Sequence, residues 1–368
     1  MKIISRNSPG HLLMICAVAT LFGCQPTERQ AQPSASWALG PFVKVDSVNP
    51  VLTPGENKFL DPILKKEVLW DEKDVFNPAA VVRDNKLYLL FRAEDQIGRY
   101  AGTSRLGLAS SDDGLHFTKL PAPVFFPAED SMKSVEWEGG VEDPRLVEHP
   151  DGGYLLTYTA YDGKTARLCF ATSPDLLRWT KLGTVLTGKY RDVWSKSGAI
   201  VAERQGERIV ATKVKNEYWM YFGDTQLYLA HSPDLLHWSP ILQGDSLKPV
   251  LSPRQGMFDS RLVESGPFAL RTEAGIVLIY NSMNLHEGGA ADPGPDAYSA
   301  GQALFDPNDP LQLIDRTPNW FMKPDRPYEI NGQVNQVVFL EGLAWFHDQW
   351  FLYYGTADSR IAVAVSKP

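Results

Sequence analysis

Apolar and aromatic positions recur along the body of the chain in short runs separated by Gly, Asp, Asn and Pro. Runs of this kind, rich in β-branched and aromatic residues and bounded by turn formers, are typical of β-strands. One unit repeats: an apolar-aromatic strand, a polar turn, a second strand, and a Ser-x-Asp turn followed by an aromatic residue. The apolar-aromatic runs lie at residues 87–92, 154–158, 218–222, 276–280 and 350–354. The pattern predicts an all-β body with no helix longer than a turn or two.

The length of the repeat selects the architecture. Equivalent aromatic residues are Phe91, Tyr158, Tyr221, Tyr280 and Tyr354, separated by 67, 63, 59 and 74 residues. Each interval is too short for a domain but accommodates a four-stranded sheet, and sheets repeated radially form a propeller. The alternatives are a β-sandwich, which does not need matched turns, and a β-helix, which has a much shorter period. We predict a five-bladed β-propeller over residues 41–368, in which the first strand of each repeat lines the central channel.

The N-terminal segment has the pattern of a targeting signal. Lys2 and Arg6 precede an apolar run over residues 12–22, which is too short to span a bilayer comfortably. The run is followed by Gly23 and Cys24. Residues 21–24 resemble the lipobox of bacterial lipoproteins, in which the Cys is lipidated. An ordinary secretory peptide with an incidental Cys is the alternative. We predict a signal peptide over residues 1–23, a flexible tether over 24–40, and a location in the bacterial cell envelope through the lipid anchor alone.

Composition narrows the class of function. The chain carries 36 Lys and Arg against 44 Asp and Glu, a formal charge of −8, and no basic run, which argues against nucleic-acid binding. No His or Cys spacing resembles a zinc site, and no Gly-rich phosphate loop opens a helix, so we expect no metal and no cofactor. Cys169 lies in an apolar run and is expected in the core.

Polar segments adjoin the predicted strands at similar places in successive repeats. In a propeller these segments would be neighbours around the axis, because loops from different blades converge at one mouth. A ring of carboxylates and cations in an aromatic-rich pocket is suited to sugar binding and glycosyl transfer. The segments are 75–79, 91–95, 140–146, 194–199, 258–267, 341–343 and 356–358.

Four strings within these repeats carry a family resemblance. They are Glu142-Asp143-Pro144-Arg145, Phe91-Arg92-Ala93, the segment 219–224 and the segment 353–358. Together they resemble glycoside hydrolase family 130, over essentially the whole chain from about Asn49 onward. The resemblance implies a five-bladed propeller that acts on β-mannosides. Most described members of that family are phosphorylases, and a smaller group are inverting hydrolases.

The resemblance also implies roles for individual residues. Asp143 is the expected general acid, although its neighbour Arg145 would lower its pKa, and a structural ion pair is the alternative. Asp224 is a substrate contact or a turn residue, and Lys196 contacts substrate or pairs with an acid. Trp137, Trp194 and Tyr218 stack on sugar or pack between blades. The expected mannosyl-site ligands are Asn77, Arg92, Asp95, Arg145 and Asp358.

Departures from the family pattern bear on the type of reaction. A Lys and a His that hold phosphate in the phosphorylases correspond here to Leu262 and Asn281. Glu264 stands where the phosphorylases have Gly, and a carboxylate there would repel phosphate and could deprotonate water. The alternatives are that Arg261 replaces the lost Lys, or that Glu264 is a structural carboxylate.

We therefore predict an inverting glycoside hydrolase that cleaves β-mannosidic linkages, β-1,2-mannosides or related manno-oligosaccharides, with Asp143 as acid and Glu264 as base. A β-mannoside phosphorylase is the first alternative. A non-catalytic carbohydrate-binding propeller is another, and it would not need both carboxylates. A third is a five-bladed glycosidase that acts on arabinan or fructan, which the other strings fit poorly.

Overall fold

A computed structural model describes residues 35–100 and 102–366. The predicted signal peptide, Cys24 and tether residues 24–34 lie outside the described residues. The rest of the predicted tether, residues 35–40, contacts the body: Leu39 N–H donates to Gln302 Oε1 over 2.9 Å, and Gln302 Nε2 donates to Leu39 O over 2.8 Å. Among the described residues no helix is long and apolar enough to cross a membrane.

The described chain is nearly all β. Its helical elements are short: α1 (Lys133–Glu136), α2 (Pro327–Ile330) and one 3₁₀ turn (Gly188–Tyr190). The strands are β1 (Val43–Lys44), β2 (Lys58–Leu60), β3 (Glu67–Leu69), β4 (Asp74–Arg83), β5 (Lys86–Glu94), β6 (Ser104–Ser111), β7 (Thr118–Lys119), β8 (Gly140–Glu148), β9 (Tyr154–Tyr161), β10 (Ala166–Ser173), β11 (Thr180–Thr184), β12 (Ala199–Gln205), β13 (Arg208–Ala211), β14 (Tyr218–Phe222), β15 (Tyr228–Ser232), β16 (Ser239–Pro240), β17 (Leu242–Gln243), β18 (Ser246–Leu247), β19 (Leu262–Ser265), β20 (Ala269–Arg271), β21 (Ile276–Met283), β22 (Tyr298–Phe305), β23 (Leu313–Arg316), β24 (Val338–Phe346), β25 (Gln349–Thr356) and β26 (Arg360–Ser366).

Antiparallel pairing arranges most of these strands in successive meanders. β4 to β7 pair in order, as do β8 to β11. β12, β14, β15 and β16 form the next meander, and β19, β21, β22 and β23 the one after it. β24, β25 and β26 form the last, which the N-terminal β1 completes through Val43 opposite Val365.

The apolar-aromatic runs are the second strands of their meanders, so the prediction that they come first and line the centre is wrong by one strand. The first strands are β4, β8, β12, β19 and β24, and β4 contacts both β24 and β8. Three of them, β4, β8 and β24, are almost wholly buried yet contain Pro78, Pro144, Gly342 and charged residues. Such residues are depleted from ordinary strands, so the sequences of these first strands resemble those of loops.

The five equivalent aromatic residues are fully buried in the core. Four are tyrosines, and each hydroxyl has a partner, as a buried phenol requires. Tyr158 contacts Glu136, Tyr221 contacts Pro310 O, Tyr280 contacts Asp259, and Tyr354 contacts Glu329. These aromatic residues therefore anchor the connections between strands to the core. Cys169 is likewise buried, as expected.

Candidate active site

Three first strands carry a β-bulge at the same place relative to their second strands. The extra residue falls at Asn77 in β4, within Asp143-Pro144 in β8, and at Glu341 in β24. A bulge re-aims a side chain and is common next to active sites. Asn77 and Asp143 adopt φ of 47° and 48°, a left-handed conformation that Asn and Asp tolerate better than most residues. The irregularity of these strands therefore places polar groups at the centre of the molecule.

Six of the predicted site residues line one cavity of about 130 Å³. They come from all five meanders, with Asn77 and Arg92 both in the first, as expected for segments that converge at one end of the fold. The six are Asn77, Arg92, Asp143, Lys196, Glu264 and Asp358. The remaining lining residues were not predicted, and they are Tyr298, Val334, Val337 and Phe339. The strand pattern could not identify them, because aromatic and aliphatic residues have the same signature whether they line a site or the core.

Asp143 is held by two hydrogen bonds and one ion pair. Asn77 Nδ2 donates to Oδ1 over 2.9 Å, Arg92 Nη1 donates to the same oxygen over 3.0 Å, and Lys196 Nζ lies 3.6 Å from Oδ2. Burial alone would raise the pKa of Asp143, but Arg92 and Lys196 outweigh it and hold the pKa well below its usual range. The carboxyl is therefore ionised when the cavity holds no sugar.

Glu264 lies buried in β19, close to Lys196. Its Oε1 accepts a hydrogen bond from Ser197 Oγ and lies 3.9 Å from Lys196 Nζ. Burial raises the pKa of Glu264 against the opposing charge of Lys196. Because Asp143 Oδ2 and Glu264 Oε1 lie 3.6 and 3.9 Å from the same ammonium, they are at most 7.5 Å apart.

Arg92 also pairs with Glu94 Oε1 at 2.7 Å, and two further carboxyls near it, Glu142 and Asp358, have raised pKa values. Glu142 Oε1 lies 3.1 Å from Arg92 Nη2, and burial, only partly opposed by Arg92, raises the pKa of Glu142. Asp358 follows β25 with φ of 50° and lines the cavity. Burial raises the pKa of Asp358 to about 7, although Arg92 opposes the shift. The site therefore contains carboxyls that can hold a proton near neutral pH.

Arg145 lies beneath the cavity rather than in its lining. Its guanidinium donates to Gly266 O over 3.0 Å and to Ser265 O over 2.8 Å, and Nη1 lies 3.0 Å from Glu341 Oε1. It also donates to the backbone carbonyl of Asp143 over 3.0 Å. The prediction that Arg145 binds mannose is replaced by a supporting position, because Arg145 is buried outside the cavity lining and its guanidinium bonds three backbone carbonyls and pairs with Glu341.

Asp95 and Tyr218 lie away from the cavity, contrary to expectation. Asp95 accepts hydrogen bonds from the backbone of Gly98 and Thr103 and pairs with Arg105 at 2.7 Å, so it stabilises the β5–β6 connection. Tyr218 is the first residue of β14. The other end of β14 is the one near Lys196, because Gly223, which follows that end, donates its N–H to Lys196 O. The ring packs near Lys213 at 4.9 Å instead.

Asp224 lies beside the mouth of the cavity. It is half-buried and accepts a hydrogen bond from Trp194 Nε1 over 2.6 Å. Its charge helps to raise the pKa of Glu264, behind the larger effect of burial. Trp137 is half-buried beside α1, whereas Trp194 is exposed.

The residues considered above as possible phosphate ligands, Asn281 and Arg261, make other contacts. Asn281 Nδ2 donates to Leu340 O over 3.0 Å, and Asn281 Oδ1 accepts from Leu340 N over 2.7 Å. Arg261 lies 3.3 Å from Asp296 and is half-exposed. As expected for neighbours on a strand, Arg261 does not stand in for a Lys at position 262.

The two cations that line the cavity are already paired with carboxyls. The lining has two cations, Arg92 and Lys196, against three carboxyls, Asp143, Glu264 and Asp358. Arg92 Nη1 lies 3.0 Å from Asp143, and Lys196 lies within 4 Å of both Asp143 and Glu264. An incoming phosphate would therefore meet cations that are already paired and carboxylates in a poorly solvated space, where repulsion is strong.

Comparison with known proteins gives a consistent set of relatives. The profile of glycoside hydrolase family 130, described as beta-1,4-mannooligosaccharide phosphorylase, matches residues 50–367. The 1,2-beta-oligomannan phosphorylase of Thermoanaerobacter sp. (strain X514) is 32% identical over 315 residues, which cover 83% of this chain and 94% of that protein.

Solved structures match over most of the chain. A glycosyl hydrolase from Bacteroides ovatus is 43% identical with a TM-score of 0.88, and the match covers 91% of this chain and 96% of that one. Another structure is 42% identical with a TM-score of 0.89 and the same coverage. It is described with the finding that the GH130 family of mannoside phosphorylases contains glycoside hydrolases that target beta-1,2 mannosidic linkages in Candida mannan.

Proposed function

The chain belongs to glycoside hydrolase family 130, and we propose that it is a hydrolase that cleaves β-1,2-mannosidic linkages with inversion. The observation that carries the proposal is the buried Glu264 carboxylate, which lines the same cavity as Asp143 and shares the Lys196 ammonium with it. The similar structure described with hydrolysis of β-1,2-mannosidic linkages supports both the reaction and the linkage.

In this mechanism Glu264 takes a proton from a water molecule as the water attacks the anomeric carbon. Ser197 orients the carboxylate, and burial raises the pKa of Glu264, which makes it a stronger base than an exposed Glu. The limit of 7.5 Å between Asp143 Oδ2 and Glu264 Oε1 admits the separation of about 6.5–9.5 Å that leaves room for water in inverting enzymes. Attack from the face opposite the leaving group converts a β-mannoside into α-mannose.

Asp143 supplies the proton to the leaving oxygen, directly or through a sugar hydroxyl. Its ion pairs keep it ionised in the empty cavity, so it must gain a proton when substrate binds. Sugar hydroxyls that accept hydrogen bonds from Arg92 and Lys196 weaken the hold of these cations on Asp143, and the displacement of water raises its pKa further. The Asp358 carboxyl, with a pKa of about 7, is a neighbouring proton source.

Incubation of the purified protein with β-1,2-mannobiose, with and without phosphate, tests the reaction. We expect free mannose in both samples, with the α-anomer appearing first in the NMR spectrum. A requirement for phosphate together with mannose 1-phosphate as product would contradict hydrolysis. Binding without any product would favour the non-catalytic alternative.

Phosphorolysis is the second candidate, because the 1,2-beta-oligomannan phosphorylase relative is 32% identical over most of both chains. It requires phosphate to enter beside Glu264, with the proton still supplied from Asp143. The same incubation distinguishes the two reactions, since only phosphorolysis yields mannose 1-phosphate.

We also propose that the five meanders are the blades of a β-propeller over residues 41–368. The family membership and the repeated order of pairing support this assignment. The lipobox-like sequence supports a lipid anchor at Cys24, a signal peptide over residues 1–23, and a location in the bacterial cell envelope.

A further inference from the structure

Three aromatic side chains from three different connections form a row, which we call the aromatic row: Tyr100, Tyr161 and Trp194. The ring centroids of Tyr100 and Tyr161 are 6.1 Å apart, and those of Tyr161 and Trp194 are 6.4 Å apart. Trp194 is 48% exposed, and both tyrosines are half-buried. Aromatic rings that keep a face in contact with water are the usual platforms for ligands with apolar faces, which include sugars.

The aromatic row begins beside the catalytic cavity. Tyr161 ends β9 and pairs with Gly140. It lies two residues beyond Thr159, which pairs with Glu142. Trp194 precedes Lys196 by two residues and donates its indole N–H to Asp224. A chain that leaves the cavity on this side therefore meets the row.

Close packing against glycines holds both tyrosines in place. A Cβ on Gly163 would lie 2.2 Å from the ring of Tyr100, and one on Gly139 would lie 2.3 Å from Cδ1 of Tyr161. Only residues without a side chain allow these rings to occupy their positions. The tyrosines are thus fixed before any ligand binds, which lowers the entropic cost of binding.

The size of the cavity indicates why such a row is needed. At about 130 Å³ it is smaller than the about 300–1,000 Å³ typical of pockets that enclose a whole ligand. An oligosaccharide whose scissile bond lies beside Asp143 must extend beyond it. The aromatic row offers apolar surface on the path outward.

We propose that the aromatic row binds the sugar units of a manno-oligosaccharide that extend beyond the cavity, an inference that rests on the proposed function. Successive rings are inclined by 64° and 67°, so their faces point in different directions. A β-1,2-linked chain joins neighbouring carbons of each sugar, which turns successive sugar planes. A β-1,4-linked chain joins opposite ends of each ring and runs as an extended ribbon. The inclined rings therefore suit the β-1,2-linked chain.

The test compares kcat/KM for β-1,2-mannotetraose with that for β-1,2-mannobiose. For Trp194→Ala and Tyr100→Ala we expect the tetraose-to-biose ratio to fall about three- to tenfold, from the loss of one aromatic contact. Trp194→Phe keeps a ring but not the N–H to Asp224 and should retain most of the preference. Trp345→Ala is the control, because Trp345 packs with Trp350 and Arg204 away from the cavity.

An unchanged ratio in both alanine variants would overturn the inference, as would equal losses on both substrates. Equal losses would mean that Trp194 acts only through the Lys196 segment. A wild-type protein that cleaves neither substrate would contradict the proposed function instead. In that case calorimetric titration with the same two sugars gives the ratio of their Kd values. We again expect the alanine variants to lose preference for the tetraose, and an unchanged preference would again overturn the inference.

Discussion

The hydroxyl of Ser197 hydrogen-bonds the carboxylate of Glu264 across two different meanders. Ser197 has φ of 59°, so its backbone departs from extended geometry just before β12 begins. The preceding residue, Lys196, lies within 4 Å of both catalytic candidates. One short segment therefore fixes the base and shares a cation between base and acid.

Glu264→Gln should remove most activity while leaving substrate binding nearly normal. The amide keeps the shape of the side chain but cannot accept a proton from water, and loss of a general base costs about 10²–10⁴-fold in rate. Measurement of kcat and of Kd for mannobiose separates the two effects. Azide should restore part of the rate and yield the α-mannosyl azide. Glu273→Gln, in an exposed turn, is the control, and near-normal turnover by Glu264→Gln would refute the mechanism.

Added phosphate should not raise the wild-type rate, and Asn281→Ala should not change this. The variant should instead lose stability, because the N–H and C=O groups of Leu340 lose their buried partner. We expect a decrease of about 1–3 kcal/mol in the free energy of unfolding, measured with urea. A strict dependence on phosphate that Asn281→Ala abolishes would show that Asn281 binds phosphate.

Asp358→Asn should stabilise the protein increasingly as the pH rises. Burial raises the pKa of Asp358 to about 7, above its unfolded value, so between these values the folded state holds a proton that the unfolded state releases. The wild-type protein therefore loses stability as the pH rises through this range, whereas Asn does not ionise. The gain from pH 4 to pH 8 should be on the order of 1–4 kcal/mol by urea unfolding. A gain independent of pH would contradict this account, and Asp348→Asn in an exposed turn is the control.

Arg145→Met should destabilise the fold, because it leaves Glu341 buried without its cation. Removal of one partner of a buried ion pair costs about 3–5 kcal/mol. Burial already raises the pKa of Glu341 well above its usual range, and loss of Arg145 raises it further, so the cost should grow with pH only where the wild-type carboxyl is ionised. Glu341→Gln in the same chain should recover part of the stability. No recovery in this double-mutant cycle would mean that Arg145 acts through its carbonyl contacts alone.

Cys24→Ser should release the protein from membranes without altering its specific activity, since the proposed lipid acts only as an anchor. Fractionation of cells that express either form measures the distribution. If the variant remained fully membrane-bound, the anchor would have to lie elsewhere.

The second strands could be predicted from the sequence because they alternate apolar and aromatic residues without interruption. The first strands could not, since Asn77-Pro78 and Asp143-Pro144 interrupt them at bulges and resemble loops. Six of the ten residues that line the cavity were found through their place in the repeats and the family resemblance. Asp95 was misassigned because a carboxylate at the end of a strand has the same pattern whether it binds a ligand or an Arg. Arg145 directly follows the bulge of β8, whereas Arg92 lies in β5 opposite Phe76, and no spacing in the sequence reveals which of the two lines the cavity.

The pairing of β1 with β26 makes the two ends of the body a single sheet. Val43 and Lys44 have no other strand partner among the described residues, so they can pair only after β26 has been synthesised. A chain that lacks either strand therefore leaves the same sheet open. The proximity of these two strands also permits circular permutation. A short linker from residue 366 to residue 43, with new ends at the exposed Asp84-Asn85 turn, would preserve every strand pair.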